Sequence, residues 1–323
     1  MSEKVVEKIV GEITADETLR GLRLDQAVAK VWPDYSRSRL KEWILSGQLK
    51  VNGEARKPKE KLDGGELLSL EAEVEANDQW QAEDIPLDIV YEDDDILVVN
   101  KPTGLVVHPA AGNRSGTLLN GVLHHHPGAE FVPRAGIVHR LDKDTTGLMV
   151  VAKTIEAQTH LVAQLQAREV HREYEAVAMG AMTGGGEVRN LINRHPHARQ
   201  KMAVVEHGGK EAITQYRLLK RYANHSHIAC LLETGRTHQI RVHMAHLRYP
   251  LVGDTLYAGR PRLPKGASAE LVETLRGFGR QALHARRLEL EHPISGEWME
   301  FESDLPEDML HLLSVLDAEQ TRI

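Results

Sequence analysis

Residues 136–153 read Gly-Ile-Val-His-Arg-Leu-Asp-Lys-Asp-Thr-Thr-Gly-Leu-Met-Val-Val-Ala-Lys, a short charged segment between two apolar runs. The apolar runs are strand-like in length and composition, so the charged residues between them are predicted to form a polar turn. Arg140 lies two residues before Asp142, and Thr145 lies three residues after it. Such a turn would present one carboxylate among hydrogen-bonding partners, which is an uncommon place for a carboxylate unless something holds it there.

Charge is unevenly distributed along this chain of 323 residues. The formal net charge is −7, yet residues 20–61 carry eleven Lys or Arg and five Asp or Glu, a net +6. Residues 62–100 carry thirteen acids and no Lys or Arg, a net −13. A basic excess attracts phosphates and releases counterions on binding. Residues 20–61 are therefore a candidate RNA-binding segment, with a solvated charged surface as the alternative.

A helix is predicted inside this basic segment. Ser36 fits the N-cap and Ser46-Gly47 fits the end of the helix. Arg37 and Lys41 are four residues apart and share one face, and Arg39 lies in the same first turn. Because a helix start with basic neighbours suits phosphate groups, these three cations are the predicted RNA contacts.

Strand-like and helix-like segments interleave irregularly through the rest of the chain. Strands are predicted at 49–51, 67–70, 96–99, 147–152, 173–179, 213–219 and 228–232. Helices are predicted at 22–31, 117–125, 155–168 and 237–247. This order favours an α+β fold with a mixed sheet over a doubly wound parallel sheet.

Several long strings of the chain resemble one enzyme family, and they occur in the expected order. Residues 136–153 resemble the catalytic loop of pseudouridine synthases. Residues 23–70 resemble an S4 RNA-binding domain through Arg23-Leu24-Asp25-Gln26-Ala27, Tyr35-Ser36-Arg37-Ser38-Arg39-Leu40-Lys41 and Val51-Asn52-Gly53. An S4 domain followed by His139-Arg140-Leu141-Asp142 is the layout of the RluA family of pseudouridine synthases. Further similar strings are Ile85-Pro86-Leu87-Asp88-Ile89-Val90-Tyr91-Glu92-Asp93, Arg172-Glu173-Tyr174-Glu175-Ala176 and Thr234-Gly235-Arg236-Thr237-His238-Gln239-Ile240-Arg241-Val242-His243.

Four regions are expected from this resemblance together with composition. Residues 1–17 are predicted to be a flexible tail, and residues 18–75 a small S4-like α/β RNA-binding domain. The acidic residues 76–86 are the expected linker. Residues 87–323 are the expected pseudouridine synthase domain, with a mixed and largely antiparallel sheet.

The resemblance also implies roles for individual residues. Asp142 is the implied catalytic residue, and Arg241 is its implied ion-pair partner, which would keep the carboxylate charged and oriented. Tyr174 resembles the active-site tyrosine, which could stack on uracil or assist proton transfer at C5. Arg140 would bind RNA, either in the gap that a flipped uridine leaves or at a flanking phosphate. Asp144 is expected to be a turn or surface acid.

The implied reaction isomerises uridine: the bond from C1′ to N1 breaks and C5 joins C1′. A carboxylate could attack the sugar, or it could remove a proton and stabilise a cationic sugar, and the sequence leaves both routes open. No cofactor is expected for an isomerisation. The resemblance is closest to members that modify large-subunit ribosomal RNA, with the helix 69 stem-loop as the implied site and ribosomal RNA or a pre-ribosomal particle as the partner.

Other classes of function are disfavoured by the sequence. The single cysteine, Cys230, excludes a disulfide framework and a multi-cysteine metal site. The histidines at 124–126, 238, 243 and 246 lack an acidic third ligand at metal spacing, so we expect no metal. No signal peptide or membrane-length apolar run is present, so we expect a cytoplasmic protein that does not contact membranes. We also expect a monomer. A sibling synthase for another ribosomal or transfer RNA site, a non-catalytic ribosome-assembly protein and a glycosidase remain as alternatives.

Overall fold

The N-terminal region folds as two short helices on a three-stranded sheet. The structure is a computed structural model that describes residues 6–33, 35–75, 80–110, 113–198 and 200–322. Its elements are β1 (Val6–Thr14), a 3-10 turn (Glu17–Leu19), α1 (Leu24–Val31), α2 (Arg37–Ser46), β2 (Leu49–Val51) and β3 (Leu67–Glu75). The strand order is β1-β3-β2, and both pairings are antiparallel. Helix α2 begins and ends as predicted: the Ser36 hydroxyl accepts a hydrogen bond from the Arg39 amide, and Gly47 has a φ of 76°.

The prediction of a flexible tail over residues 1–17 is wrong for the part that the structure describes. Strand β1 pairs with β3 from Val6 opposite Glu75 to Thr14 opposite Leu67, and residues 1–5 lie outside the described residues. The pairing covers an edge of β3 that would otherwise expose unpaired amides and carbonyls. Since the partner strand begins about fifty residues later, no local turn signal announces the pairing.

A separate apolar core stabilises the S4-like region. Leu24, Leu40, Leu49 and Leu68 are completely buried, one from each of α1, α2, β2 and β3. Partly buried apolar side chains of the following domain also pack against this core, namely Phe131 and Ile155. Burial of each core leucine contributes about 1.5–3 kcal/mol of transfer free energy.

The remainder of the chain is built on a mixed sheet of ten strands. These are β4 (Ile89–Glu92), β5 (Ile96–Lys101), β6 (Thr146–Ala152), β7 (His171–Met179), β8 (Gly186–Arg194), β9 (Met202–Val205), β10 (Lys210–Arg221), β11 (His225–Leu232), β12 (Leu283–Glu291) and β13 (Trp298–Glu302). The order is β4-β5-β6-β12-β7-β11-β10-β8-β9, and β13 pairs with β12. Only the pairing of β6 with β12 is parallel among the described strands. The predicted α+β class with a largely antiparallel mixed sheet is therefore confirmed.

Helices cover both faces of this sheet. They are α3 (Leu118–His125), α4 (Ile155–Ala167), α5 (Gln239–His246), α6 (Ala269–Gly277) and α7 (Glu307–Gln320), with 3-10 turns at Pro127–Phe131 and Pro133–Gly136. Along β5, Leu97 and Val99 face a core shared with α3 and α5, whereas Ile96 and Val98 face a core shared with α4. This alternation buries the strand on both sides.

The expected linker is in part a piece of the catalytic domain. Residues 76–79 lie outside the described residues, but residues 80–86 pack on α3 and its surroundings. The Glu83 amide donates to the Asn120 carbonyl over 3.0 Å, and the Asn120 side chain donates to the Gln81 carbonyl over 2.8 Å. The Trp80 ring meets His108 edge-on, with ring centroids 4.9 Å apart. Residues 80–86 therefore pack as part of the catalytic domain, ahead of its predicted start at residue 87.

The parallel contact between β6 and β12 depends on one glycine. Gly147 has a φ of 111°, and a methyl group built on it would lie 2.3 Å from the Ala285 carbonyl oxygen. Only glycine combines that backbone conformation with so close an approach. The contact fixes the start of β6, and so the position of the turn that precedes it.

Candidate active site

The charged segment of residues 138–145 forms a turn that is held on both sides. The Thr145 amide donates to the Asp142 carbonyl over 3.1 Å, which closes the turn. On one side, the ammonium of Lys101 donates to the Lys143 carbonyl over 2.8 Å. On the other side, the Gln281 amide donates to the Thr145 hydroxyl over 3.0 Å. The turn therefore has little freedom to move the Asp142 side chain.

Lys101 is the largest fully buried side chain of the described residues, with 1% exposure. Besides Lys143, its ammonium donates to the carbonyls of Pro102 and Leu105 over 2.7 and 2.9 Å. Burial lowers the pKa of Lys101 to about 8. Three carbonyl acceptors satisfy its three donors, so this lysine joins the end of β5 to the turn.

One guanidinium links two carboxylates across the turn. Arg241 Nη1 donates to Asp142 Oδ2 over 2.9 Å, while its Nε and Nη2 donate to the two oxygens of Asp254 over 2.7 and 3.0 Å. Burial lowers the pKa of Arg241, but hydrogen bonds to Asp254 and the charges of both carboxylates outweigh it, so the pKa lies above its usual value. The bidentate pair with Asp254 fixes the plane of the guanidinium, which then holds Asp142 in one orientation.

A second contact to Asp142 comes from the residue before α5. His238 has a left-handed backbone with a φ of 57°, and its Nε2 lies 3.8 Å from Asp142 Oδ1. Its Nδ1 lies 2.7 Å from the Tyr257 hydroxyl, whose ring lies beneath the Arg241 guanidinium at 5.0 Å. Burial lowers the pKa of His238, an effect that the Asp142 charge opposes.

Asp142, His238 and Arg241 line a cavity of about 580 Å³, a typical size for a ligand site. Its wall combines the turn, the β7 residue Tyr174, and the segment that leads from β11 into α5. Tyr174 is 5% exposed, and burial raises the pKa of its hydroxyl. Among the described residues that line this cavity, Asp142 is the only carboxylate.

Comparison with known proteins agrees with this geometry. The model of the RNA pseudouridylate synthase family matches residues 95–246, and that of the S4 domain matches residues 22–68. The ribosomal large subunit pseudouridine synthase D of Yersinia pestis is 60% identical over 307 residues, which cover 95% of this chain and 94% of that protein. The Vibrio parahaemolyticus protein of the same name is 56% identical over 313 residues, covering 97% and 96%.

The chain belongs to the RNA pseudouridylate synthase family. It is accordingly an isomerase with an S4 RNA-binding domain. Among solved structures, human RNA pseudouridylate synthase domain containing 4 is 28% identical, with a TM-score of 0.54, and the match covers 71% of this chain and 92% of that one. No helix of the described residues is long and apolar enough to cross a membrane.

This pseudouridine synthase brings three of its predicted site residues together. Asp142, Tyr174 and Arg241 line the same cavity, and Arg140 stands on its wall as an exposed side chain. Asp144 does not line it, although its carbonyl accepts a hydrogen bond from Arg280 over 3.2 Å. Asp144 lines a smaller cavity whose wall also includes Asp142, so its role as a turn or surface acid stays a prediction.

The predicted RNA contacts of the S4 domain differ from one another. Arg37 and Lys41 are exposed on α2, and neither forms an ion pair with any described residue. Arg39 is half-buried, with its guanidinium 6.0 Å above the centre of the Trp43 ring, and burial lowers its pKa. Arg37 and Lys41 are therefore the freer candidates for phosphate.

The histidines that suggested metal ligands point in different directions. His238 contacts Asp142 and Tyr257, as described above. His243 is buried between the Thr214 hydroxyl and the Asn190 amide, while His246 is exposed at the end of α5. They do not converge on one point.

Sequence reasoning missed two residues that shape the site. Asp254, which is 1% exposed, follows α5 by eight residues and carries no motif of its own. Lys101 ends an apolar strand, and a lysine between Asn100 and Pro102 looks like a loop residue. The only signal in the sequence was a single charged residue beside an apolar run, and such a residue is seldom enough to identify a site residue.

Proposed function

We propose that this synthase converts specific uridines of large-subunit ribosomal RNA to pseudouridine, with Asp142 as the catalytic residue. The substrate is supported by relatives named for the large ribosomal subunit, which match 94% or more of their length at 56–60% identity. The stem-loop of helix 69, in free RNA or a pre-ribosomal particle, is the proposed site within that RNA. The role of Asp142 is carried by one observation: it is the only carboxylate among the described residues of the cavity wall.

A uridine would have to leave its stack to reach Asp142. Unstacking costs about a few kcal/mol, and the cavity of about 580 Å³ is large enough to receive one flipped nucleoside. Arg140 is exposed at the wall of this cavity, where a guanidinium can occupy the gap left in the RNA or bind a flanking phosphate. The binding of RNA by residues 20–61 would supply the free energy for this step.

Inside the cavity, the carboxylate of Asp142 would act at C1′ of the ribose. It could add to C1′ as the uracil leaves, or stabilise a cationic sugar and take a proton from it. In either route Arg241 orients the carboxylate by one hydrogen bond while Asp254 accepts two others from the guanidinium. Tyr174 would contact the uracil ring while it turns from N1 to C5.

Two matched substitutions test the role of Asp142. Asp142→Asn keeps the size of the side chain and one acceptor oxygen for Arg241, but removes the charge and the nucleophile. We expect single-turnover activity on a ribosomal RNA stem-loop to fall by at least about 1,000-fold, with folding and RNA binding retained. Asp144→Asn, two residues away, should change the rate by less than about tenfold.

The substrate is tested by mapping pseudouridine in ribosomal RNA from cells with and without the protein. Loss of pseudouridine from helix 69, restored by the wild type and not by Asp142→Asn, is the expected result. If pseudouridine is lost only from another ribosomal or transfer RNA site, that site is the substrate instead of helix 69. Equal rates for Asp142→Asn and Asp144→Asn would show that Asp142 is not the catalytic residue.

A further inference from the structure

The cavity contains a second buried arginine that has no counter-charge. Arg172, on β7, is 7% exposed, and its side chain forms no ion pair or hydrogen bond with any described residue. Its Nε is completely buried and unsatisfied. Burial lowers the pKa of Arg172, but a guanidinium stays charged in proteins. Because an uncompensated buried charge costs several kcal/mol, its presence calls for an anion that arrives during the reaction.

A neighbouring histidine offers a second donor on the same wall. His139 Nε2 accepts a hydrogen bond from the Val150 amide over 3.1 Å, so a neutral ring carries its proton on Nδ1. Burial and the charge of Arg172 lower the pKa of His139 to about 3, so the ring is neutral at pH 7. Its Nδ1 is buried and has no acceptor among the described residues.

The surrounding backbone leaves room for the guanidinium. A methyl group built on Gly235 would lie 2.8 Å from Arg172 Nη1, closer than real side chains approach. Arg172 and Tyr174 are two residues apart on β7 and are both buried, whereas Glu173 between them pairs with Arg217 on the other side of the strand. Arg172 and Tyr174 therefore face the cavity together.

Charge is divided along the cavity. Around Asp142, one guanidinium, that of Arg241, is shared by the carboxylates of Asp142 and Asp254, so these three groups carry a formal net charge of −1. Around Tyr174, Arg172 contributes a charge of +1 that no described carboxylate pairs with. Breaking the bond from C1′ to N1 produces a matching division, since the electron pair stays with uracil and the sugar becomes electron-poor.

We propose that Arg172, with His139 as an additional donor, stabilises the negative charge on uracil while the ring is detached from C1′. The inference rests on the proposed function, in which Asp142 acts at C1′. The bond between C1′ and N1 breaks with its electron pair on the ring, which spreads the charge over N1 and the two carbonyl oxygens. The ring turns, C5 bonds to C1′, C5 loses its proton and N1 gains one, so no other reactant is needed.

A backbone phosphate is the other anion that an RNA could bring to Arg172. The exposed cations Arg134 and Arg140 stand at the cavity in positions open to solvent, where a connected RNA strand would run. Arg172 is instead buried beside Tyr174, the residue proposed to contact the base. Its position favours the ring over the phosphate, and the two anions predict different kinetics.

The test compares Arg172→Gln with Arg172→Lys in single-turnover reactions on a ribosomal RNA stem-loop, at saturating enzyme. Removing one preorganised donor typically costs about 100- to 1,000-fold in rate, so we expect a loss on the order of 100-fold for Gln. Lysine keeps the charge and should restore part of the rate. The affinity for RNA, measured in the Asp142→Asn background, should change by less than about threefold. Arg217→Gln is the matched control and should leave rate and affinity unchanged.

A better leaving group sharpens the test. Fluorine at C5 stabilises the ring anion, so the loss caused by Arg172→Gln should be smaller with 5-fluorouridine at the target position, followed as disappearance of intact fluorouridine. If Arg172→Gln does not fold, Gly235→Ala displaces the guanidinium without removing it and should also slow the reaction. A rate within threefold of wild type would overturn the inference, as would equal losses with both nucleotides or a loss confined to affinity. Substantial turnover by Asp142→Asn would instead overturn the proposed function.

Discussion

Helix α2 of the S4 domain and the catalytic cavity both present cations, but the molecule holds them in opposite ways. Arg37 and Lys41 are exposed and form no ion pair with any described residue. In the cavity, Arg241 is fixed by three hydrogen bonds to two carboxylates, and Arg172 is buried with an unsatisfied Nε. The exposed pair is free to adapt to a partner, whereas the guanidinium of Arg241 is held in one orientation.

The difference separates binding from chemistry. An exposed cation gains affinity for RNA by releasing counterions, and it does so for any phosphate in reach. A buried cation is already desolvated, so its interaction with a charge that appears during the reaction is strong and directional. We therefore expect substitutions in α2 to change affinity and salt dependence, and substitutions in the cavity to change the rate.

After Asp142→Asn, the largest loss of rate is expected from Arg241→Met. The change leaves Asp142 and Asp254 without their shared counter-charge, and breaking a buried pair typically costs about 3–5 kcal/mol. If the cost falls on the transition state, the single-turnover rate drops roughly 100- to 5,000-fold. Arg241→Lys, which keeps the charge but cannot bridge both carboxylates, should lie between Met and wild type.

Arg189→Met is the matched control for this prediction. Arg189 is exposed on β8 and pairs with Glu187 and Glu211, and surface pairs contribute about 0–1 kcal/mol. Its rate should equal that of wild type, with circular dichroism confirming the fold of all three variants. A rate for Arg241→Met within tenfold of wild type would contradict the role given to this pair.

An intermediate effect concerns acid stability, and it should differ between the two regions. All 18 histidines lie between residues 108 and 311, so the S4 domain has none. Burial lowers the pKa of His225 and His243 to about 4 from a usual 6.5. Between these values the unfolded chain binds protons that the folded chain does not, so stability falls as the pH falls from 6.5 toward 4.

Each of these two histidines should destabilise the catalytic domain by about 2 kcal/mol between pH 7 and pH 5. Hydrogen exchange at the two pH values, corrected for intrinsic rates, should show the loss in the catalytic domain and not in the S4 domain. His243→Gln removes one titrating group and should lessen the pH dependence. An equal loss of stability in both domains would show that these two histidines do not determine the pH dependence of stability.

The smallest effect is expected from Arg37→Gln/Lys41→Gln. If each side chain neutralises one phosphate, the slope of log affinity against log salt falls by about 1.4–1.8, and affinity near 0.1 M salt weakens roughly tenfold. The single-turnover rate at saturating enzyme should not change. Lys8→Gln, on β1 at the far edge of the S4 sheet, is the control, and an equal slope change in that variant would show that α2 is not the contact surface.

The sequence predicted local features of the fold well. The caps of α2, the polar turn before β6 and the alternation of β7 depend on neighbouring residues, and each was found near its predicted place. Pairings between distant segments could not be predicted: β1 pairs with a strand about fifty residues away. Strands β4, β8, β9, β12 and β13 and helices α6 and α7 were not predicted either. The same limit explains the error at Trp80, which packs on residues that follow it by nearly thirty positions.

For the site, motif resemblance brought out Asp142, Tyr174 and Arg241, and the fold places all three on one cavity. It could not find Asp254 or Lys101, because their importance lies in what they contact across the fold. Nor could it show that the guanidinium of Arg172 lies against Gly235. Burial and missing partners are properties of the folded chain alone.

The division between binding and chemistry is tested most directly by measuring affinity and single-turnover rate together on one ribosomal RNA stem-loop, for Asp142→Asn and for Arg37→Gln/Lys41→Gln. We expect the first variant to bind within about threefold of wild type and to lose at least about 1,000-fold in rate. The second should bind roughly tenfold more weakly and react at the wild-type rate once saturated. Substantial turnover by Asp142→Asn, or a slowed saturated rate in the α2 variant, would contradict this account.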